Sequence, residues 1–482
     1  MKLKILIFVV AYNAEKTIIN VLQRIPRSLT KTYKVSVLII DDCSIDSTQE
    51  TAFRFTKNNF WCPITILKNS NNQGYGGNQK LGYYYAIKNN FDAVVLLHGD
   101  GQYAPEFIPT LLKPFTKKFP PSAVFGSRML ISKNALKGGM PLYKFIGNKI
   151  LTNLQNKLLN SNLSEFHSGF RVYSVKTLKK LPIHLNTNDF HFDTEIIVQL
   201  FSNNSKVIEI PIPTHYGDEK CHVNGIKYAL DVIKSSIKAR VIKMGIFYDP
   251  KFSFDHTHTS QKINKLSFIN TESLVINKIR TGSKILMLCK KNKYLKTYLQ
   301  KEKKCTVQEF DPFSKEQIFA TKKIKWGNLD YILMLDVINK KNHLDIFLQS
   351  LREQINAYPN IEIILSSGNV CFFITRIMIL LGQFNYARRG ILDIEHRNYF
   401  SVLSLNKFLD YQGFTVIEKN YLPGPYPLAL GLNFFSKFLL YINNIIALIM
   451  PNLFSYQVLY KIKARPQIIW LLNHEAKKLN FE

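Results

Sequence analysis

Hydrophobic positions in this chain come in short, nearly continuous runs rather than in alternation. Lys4–Val10, Val35–Ile40, Ile64–Leu67, Ala93–Leu97 and Ala123–Phe125 are such runs, and each stops at polar or turn residues. An unbroken apolar run suits a strand buried on both faces, as in a parallel sheet. Helical spacing fills the gaps, for example at Thr17–Arg24 and Asn78–Asn89. Strand and helix in alternation predict βαβ units over residues 1–245. A second rhythm starts at Lys284 with KILMLC, CTVQEFDP, LDYILMLDV and IEIILSS. Residues 246–280 are polar and weakly patterned and read as a linker. The expected architecture is therefore one α/β domain over 1–245 and another over 281–482.

Two apolar stretches raise the question of a membrane. The N-terminal MKLKILIFVVAYN has the charge and apolar run of a signal peptide, but it lacks a small-residue cleavage site and runs into the polar turn Tyr12–Glu15. It reads as a first strand. Residues 426–460 form a dense apolar segment that reads as helical, interrupted by Asn433, Lys437, Asn443 and Asn444. The interruptions leave no run of the roughly 18 apolar residues that a span requires. Two readings stay open for the segment: burial in its own domain's core, or attachment in the plane of a membrane surface.

Composition narrows the partners. With 64 basic against 34 acidic residues the net charge is +30. Such a balance suits anionic small substrates, an anionic membrane surface or nucleic acid. No nucleic-acid motif accompanies the charge, so nucleic acid is not an expected partner. Hydrophobic residues make up 46% of the chain, enough for packed cores and against disorder. The six cysteines are scattered without a CxxC pair, which fits reduced thiols in the cytosol. His256 and His258 form an isolated HxH in the linker, where a solvated position is the plainer reading.

Candidate chemistry sits where two apolar runs end in acids: VLIIDDCSIDST (Val37–Thr48) and VVLLHGDGQY (Val94–Tyr103). In open α/β sheets ligands bind beyond the carboxyl ends of the strands. Carboxylates there can hold a nucleotide and a hard divalent cation. A nucleotide-dependent transferase follows.

The motifs VVAYNAEKTI, VLIIDDCSIDST, NQGYGGNQKLG, HGDGQYAPE, FGSR, HSGFRVY and FDTEI occur in this order. Together they resemble the family 2 inverting glycosyltransferases of GT-A fold, in the branch of dolichyl-phosphate mannose synthases and related polyprenyl-phosphate sugar transferases. The resemblance spans about residues 1–240. It implies transfer of a hexose from a nucleotide sugar to a polyprenyl phosphate or other glycan-pathway acceptor, with inversion and with Mg²⁺ or Mn²⁺. It places Tyr12, Asn13, Asp41, Asp42 and Asp46 on the nucleotide side. Asp100 takes the position of the metal-binding carboxylate, and His98 stands where the family has a second aspartate. Imidazole is a poorer ligand for Mg²⁺ than for Mn²⁺. Gln102 follows, to orient metal or sugar. Gly76 and Gly77 fall in a stretch that is either a loop like the family's diphosphate-side loop, where glycine permits close backbone approach, or a plain helix-capping turn. Arg128 and Arg171 are candidate anion clamps, since a guanidinium bonds phosphate bidentately. Asp193 and Glu195 are candidate bases for a hydroxyl acceptor, or first-turn acids of a helix. A lipid phosphate acceptor is already ionised and needs no strong base. The loop after Glu209 carries His215, Lys220 and His222, which could approach a phosphate or be ordinary loop positions. The family's setting implies a cytoplasmic protein, peripheral at the inner face of the membrane.

From Lys284 onwards the chain resembles the Rossmann-like class I S-adenosylmethionine methyltransferases, best in RGILDIEHRNYFSVLSLNKFLDYQGFTV. Where that family carries a GxGxG turn, this chain has Cys289, Lys291 and Lys293, and Met287 replaces an expected acid. DVINKK stands where an acid and a histidine are usual, while Asp311 keeps the ribose-binding acid. Lysine side chains in place of glycines would crowd the cofactor, so S-adenosylmethionine is not expected to bind and the domain reads as degenerate. A bifunctional glycosyltransferase and methyltransferase is the alternative.

Overall fold

The computed structural model describes residues 2–57, 60–131, 135–136, 138–213, 224–243, 248–253, 268–288, 292–313, 324–387, 390–468, 470 and 472. His215, Lys220, His222, His256, His258, Cys289 and Lys291 lie outside them. The chain divides into two compact units, one of residues 1–243 with 249–259, the other of 244–248 with 260–482.

In the first unit, strands β1 (Lys4–Ala11), β2 (Lys34–Asp41), β3 (Ile64–Lys68), β4 (Ala93–His98), β5 (Ala123–Ser127), β6 (Arg171–Ser174) and β7 (Val207–Pro211) form one sheet in the order β3-β2-β1-β4-β6-β5-β7. All neighbours are parallel except β6, which runs antiparallel to β4 and β5. Successive residues of one strand enter different cores: Ile5, Ile7 and Val9 face one cluster, Leu6 and Phe8 the other. Both faces are thus apolar, which explains the unbroken runs. Helices α1 (Ile18–Gln23) and α2 (Thr48–Thr56) cover the first face, and α3 (Gly74–Lys88) and α5 (Phe192–Ser202) the second; α4 (Leu142–Leu159) packs beside α6 (Gly225–Lys243). The five expected strands are present, each within two residues of its predicted ends. Helix α3 starts earlier than its spacing predicts, so Gly76 and Gly77 lie inside it rather than in a preceding loop.

The second unit is also α/β. Strands β8 (Lys284–Leu288), β9 (Thr306–Phe310), β10 (Tyr331–Leu335), β11 (Glu362–Gly368), β12 (Phe414–Leu422) and β13 (Gln457–Ala464) are ordered β12-β13-β11-β10-β8-β9, parallel from β9 to β11, with β13 antiparallel to both its neighbours. Its helices include α7 (Thr271–Lys278), α8 (Lys293–Lys301), α9 (Leu344–Ile355), α10 (Phe373–Leu380), α11 (Val402–Tyr411) and α12 (Phe434–Ile449). Two expectations need correction. The predicted linker includes α7, which a capping box between Asn270 and Ser273 starts and buried Val275 and Ile276 anchor. The predicted helical segment 426–460 ends in β13, whose Val458, Tyr460 and Ile462 point into a core as alternate residues of a strand do.

Candidate active site

Strand register brings the two acidic ends together. Asp41 pairs across from Ala11 and His98 across from Val10, so both ends open at one edge of the sheet on either side of β1. From β1 the chain order runs outward through β2 on one side, while β4 lies on the other. Such a reversal leaves a crevice in open α/β sheets.

On the β2 side, Asp41 and Asp42 are buried. Asp41 Oδ1 accepts from the Ser44 amide at 3.1 Å and from the Ser44 hydroxyl. Its Oδ2 is buried without a hydrogen-bond partner, with Lys68 Nζ 3.7 Å away. Asp42 Oδ1 accepts from Asn69 Nδ2 at 2.7 Å and from the Gln73 amide at 2.8 Å, fixing the turn that leads into α3. Asp46 accepts from the amides of Thr48 and Glu15, each at 3.1 Å. Asn13 adopts a φ of 48° and accepts from the Ile45 amide at 3.1 Å. Asp46 and Asn13 therefore tie the end of β1 to the turn after β2. Tyr12, beside them, is exposed.

On the β4 side a chain of polar groups ends at the crevice. Arg171 Nη1 lies 3.4 Å from Asp193 Oδ1. Asp193 Oδ2 accepts from the Tyr75 hydroxyl at 2.9 Å, and the Tyr75 oxygen lies 3.1 Å from His98 Nε2. Burial and the neighbouring Asp193 hold the Tyr75 phenol well above its usual range, so it stays protonated and donates to Asp193. Its oxygen then accepts from His98 Nε2–H. Burial also lowers the His98 pKa, against the opposing pull of Asp100 and Asp193. The imidazole is therefore neutral near pH 7, with its lone pair on Nδ1. That nitrogen lies 3.9 Å from Asp100 Oδ2. Asp100 Oδ1 accepts from the Gln102 amide at 3.0 Å, and the Asp100 side chain is 43% exposed. The Gly169 backbone closes over His98: a Cβ there would lie 2.5 Å from Nε2.

His98 Nδ1 and Asp100 Oδ2, 3.9 Å apart at the end of β4, are an imidazole nitrogen and a carboxylate oxygen, donor types that suit a divalent cation. Among the described residues no group of three or more His, Cys, Asp or Glu side chains could hold a metal. The pair would thus need oxygens from a bound diphosphate to complete the coordination shell.

Several expected roles change. Arg171 is 1% exposed and spends its donors inside the protein, on the carbonyls of Ser168, Asp193 and Phe166 and on the Tyr173 hydroxyl. It braces the core rather than clamping an anion. Arg128 pairs with Glu165 through Nε at 3.0 Å and through Nη2, and reaches the His167 carbonyl at 3.1 Å. Burial pushes Glu165 up, but Arg128 more than offsets this and the carboxyl titrates low. The Arg128 charge is thereby largely neutralised. Glu195 accepts from the Thr187 amide and from Lys251 Nζ, both at 2.7 Å, and is buried. Asp193 is held by Tyr75, Gln79 and Arg171. Neither carboxylate is poised as a base. Gly76 and Gly77 approach protein: a Cβ on Gly76 would lie 2.5 Å from the Thr187 carbonyl oxygen, and one on Gly77 would lie 3.3 Å from Asn188 Cγ. Sequence reasoning overlooked Tyr75, Glu165 and Lys251. Tyr75 lay in view within NQGYGG, but no local pattern marks its contact with Asp193.

Comparison with known proteins matches residues 6–181 to the family model "Glycosyl transferase family 2". This stretch is a family 2 glycosyltransferase domain. It holds β1 to β6 and all of the β2 and β4 ends just described. A UDP-N-acetylglucosamine–dolichyl-phosphate N-acetylglucosaminyltransferase of Methanococcus voltae is 28% identical, over 44% of this chain and 86% of that protein. A dolichyl-phosphate β-glucosyltransferase of Saccharomyces cerevisiae is 25% identical, over 45% of this chain and 67% of that protein. Among solved structures, glucosyl-3-phosphoglycerate synthase of Mycobacterium tuberculosis, with Mn²⁺, UDP and phosphoglyceric acid, is 14% identical over 49% of this chain and 78% of that one, with a TM-score of 0.38, too low to carry chemistry over.

Proposed function

We propose that the glycosyltransferase domain has a GT-A fold and transfers a hexose from a nucleoside-diphosphate sugar to a polyprenyl phosphate, inverting the anomeric centre in a single displacement. The observation that carries the reading is the meeting of Asp41, Asp42, His98 and Asp100 at one sheet edge within a family 2 domain. The unpartnered Oδ2 of Asp41 is an acceptor for a ribose hydroxyl or a base N–H. His98 Nδ1 and Asp100 hold the cation, Mn²⁺ in preference to Mg²⁺. Bound there, a divalent cation would neutralise the charge that builds on the departing diphosphate. Gln102, next to Asp100, orients the sugar.

Two features support a lipid phosphate acceptor over a hydroxyl. Asp193 and Glu195 are locked in ion pairs, which suits a nucleophile that arrives ionised. An apolar surface also borders the site. Helix α4 exposes Leu142, Ile146 and Ile150, and α6 exposes Ile226 and Leu230. Both helices reach the site: Asn148 Nδ2 donates to Glu165 at 2.9 Å, and Tyr228 bonds His167 Nδ1 at 2.9 Å. A prenyl tail could lie along this surface while its phosphate enters the crevice. The relatives named above act on dolichyl phosphate, for N-acetylglucosamine in one case and glucose in the other. The reaction would face the cytosol, at the inner face of the membrane. The second unit serves as a methyltransferase-like scaffold that does not take up S-adenosylmethionine.

The test is incubation of the purified protein with a panel of nucleotide sugars, polyprenyl phosphate and Mn²⁺, with products identified by mass spectrometry. A polyprenyl-phosphate sugar is the expected product. Transfer only to hydroxyl acceptors would overturn the acceptor, and no transfer from any donor would overturn the activity.

A further inference from the structure

Helix α12 buries Ser436 and Asn443 along with Leu440 and Ala447, and turns its larger apolar side chains outward. Its polar residues Ser436 and Asn443 are buried, with exposures of 0% and 5%. Ser436 donates to the Gly431 carbonyl at 2.6 Å; Asn443 Oδ1 accepts from the Gly424 amide at 2.7 Å, and its Nδ2 donates to the Phe454 carbonyl at 3.0 Å. Its outward face carries Phe434, Phe435, Phe438, Tyr441, Leu448 and Ile449, with Phe434 85% exposed. A surface helix of a water-soluble domain normally has the opposite arrangement. Helix α10 is similar: it buries Thr375 and Met378, while Ile377, Ile379 and Leu380 are exposed, as is Leu381 just beyond its end. The start of α10 is tied to the segment that follows α12. The Phe373 ring lies 5.5 Å from that of Phe454, and Asn369 Nδ2 donates to the Ser455 carbonyl at 2.8 Å.

Charge on these elements is of one sign. Between Glu362 and Asp393, and again between Glu418 and Glu475, the sequence has no acidic residue. Arg376 on α10 and Lys437 on α12 are exposed. Among the described residues no helix is long and apolar enough to cross a membrane. With 16 residues, α12 is about 24 Å long at 1.5 Å per residue.

We propose that α10 and α12 together form a docking surface of the second unit for an anionic lipid bilayer, with both helices lying in the interface. The apolar faces enter the acyl boundary while Arg376 and Lys437 meet lipid phosphates. Polar side chains turn inward because the outward side is not water. This surface belongs to the second unit, and its binding needs no sugar donor.

The experiment is flotation of the full-length protein with phosphatidylcholine vesicles containing increasing phosphatidylglycerol, without nucleotide sugar or polyprenyl phosphate. Binding is expected to rise with phosphatidylglycerol and to weaken with salt. Phe434→Ser, Phe435→Ser and Phe438→Ser in one chain should lower partitioning about tenfold or more, as should Leu380→Ser with Leu381→Ser. Circular dichroism and melting should be unchanged, because these side chains face outward. A Phe438→Trp variant provides a second measurement: its fluorescence should be quenched by brominated acyl chains. Wild-type protein that fails to float, variants that float like wild type, or a tryptophan that bromolipid leaves unquenched would overturn the proposal. So would a dimer in sedimentation velocity that the Phe variants dissolve while flotation is unchanged, since the face would then bind a second copy. An Ile146→Ser, Ile150→Ser control separates this surface from the acceptor reading: it should impair transfer to polyprenyl phosphate yet leave flotation largely intact. If that control alone abolishes flotation, the docking surface belongs to the first unit and the proposal fails.

Discussion

At the scale of single residues, a chain of polar contacts runs from Arg171 to His98. Arg171 holds Asp193, Asp193 holds Tyr75, and Tyr75 selects the His98 tautomer that turns a lone pair toward Asp100. Asp100→Asn keeps the shape and removes the charge, so sugar transfer should fall by roughly a hundredfold or more; normal turnover at saturating Mn²⁺ would remove Asp100 from the mechanism. Tyr75→Phe cuts these contacts one step back. Activity should fall about tenfold and the Mn²⁺ titration of activity should shift to higher concentration. An unchanged metal dependence would show that His98 needs no such support. His167 makes a separate pH prediction. Burial lowers its pKa to about 4, and its Nε2 has no partner. The unfolded chain, with an ordinary histidine near pH 6.5, then binds the proton first as pH falls. Stability should therefore drop between about pH 6.5 and 4, by up to about 2 kcal/mol from pH 7 to 5. Urea melts at the two pH values measure this, and the difference should shrink in His167→Gln.

At the scale of elements, α3 shows how a local pattern misleads. The glycines of NQGYGG read as a phosphate-approaching loop, since glycine before a helix is the usual sign of one. They are instead the face on which α3 packs against residues 187–192. Gly76→Ala should therefore act on stability first: the new Cβ meets a backbone carbonyl and the Phe192 Cβ, at 2.5 and 2.7 Å, and neither can swing away. About 1–3 kcal/mol of destabilisation is expected in urea unfolding. A variant as stable as wild type would mean that the 187–192 segment yields freely. Helices α10 and α12 show the reverse case. Density of apolar residues in 426–460 left core burial and membrane attachment open, and only the burial of Ser436 and Asn443 tells which face is outward.

At the scale of the whole molecule, two α/β units share one chain, and Lys293 bears on what the second can do. Calorimetry of the full-length protein with S-adenosylmethionine should show no micromolar isotherm, because Lys293, which begins α8, stands where the proposed methyltransferase likeness calls for a turn glycine; a clear isotherm would restore the bifunctional alternative. Strand identity, the α/β class and the acidic strand ends were legible from sequence. Each depends on residues adjacent in the chain: an apolar run, a period, an acid after a strand. What sequence could not supply was the partner of each charge. Asp193 and Arg171 are 22 residues apart, Tyr75 and Asp193 118 apart. Folding brings them together in a buried site, where a charge must be paired or neutralised. Which carboxylates remain available for chemistry is decided by that pairing. Sequence alone named Asp100 as a metal carboxylate and Asp193 and Glu195 as candidate bases or first-turn acids; tertiary structure left Asp100 partly open to solvent at the end of β4 and enclosed the other two in ion pairs within the protein.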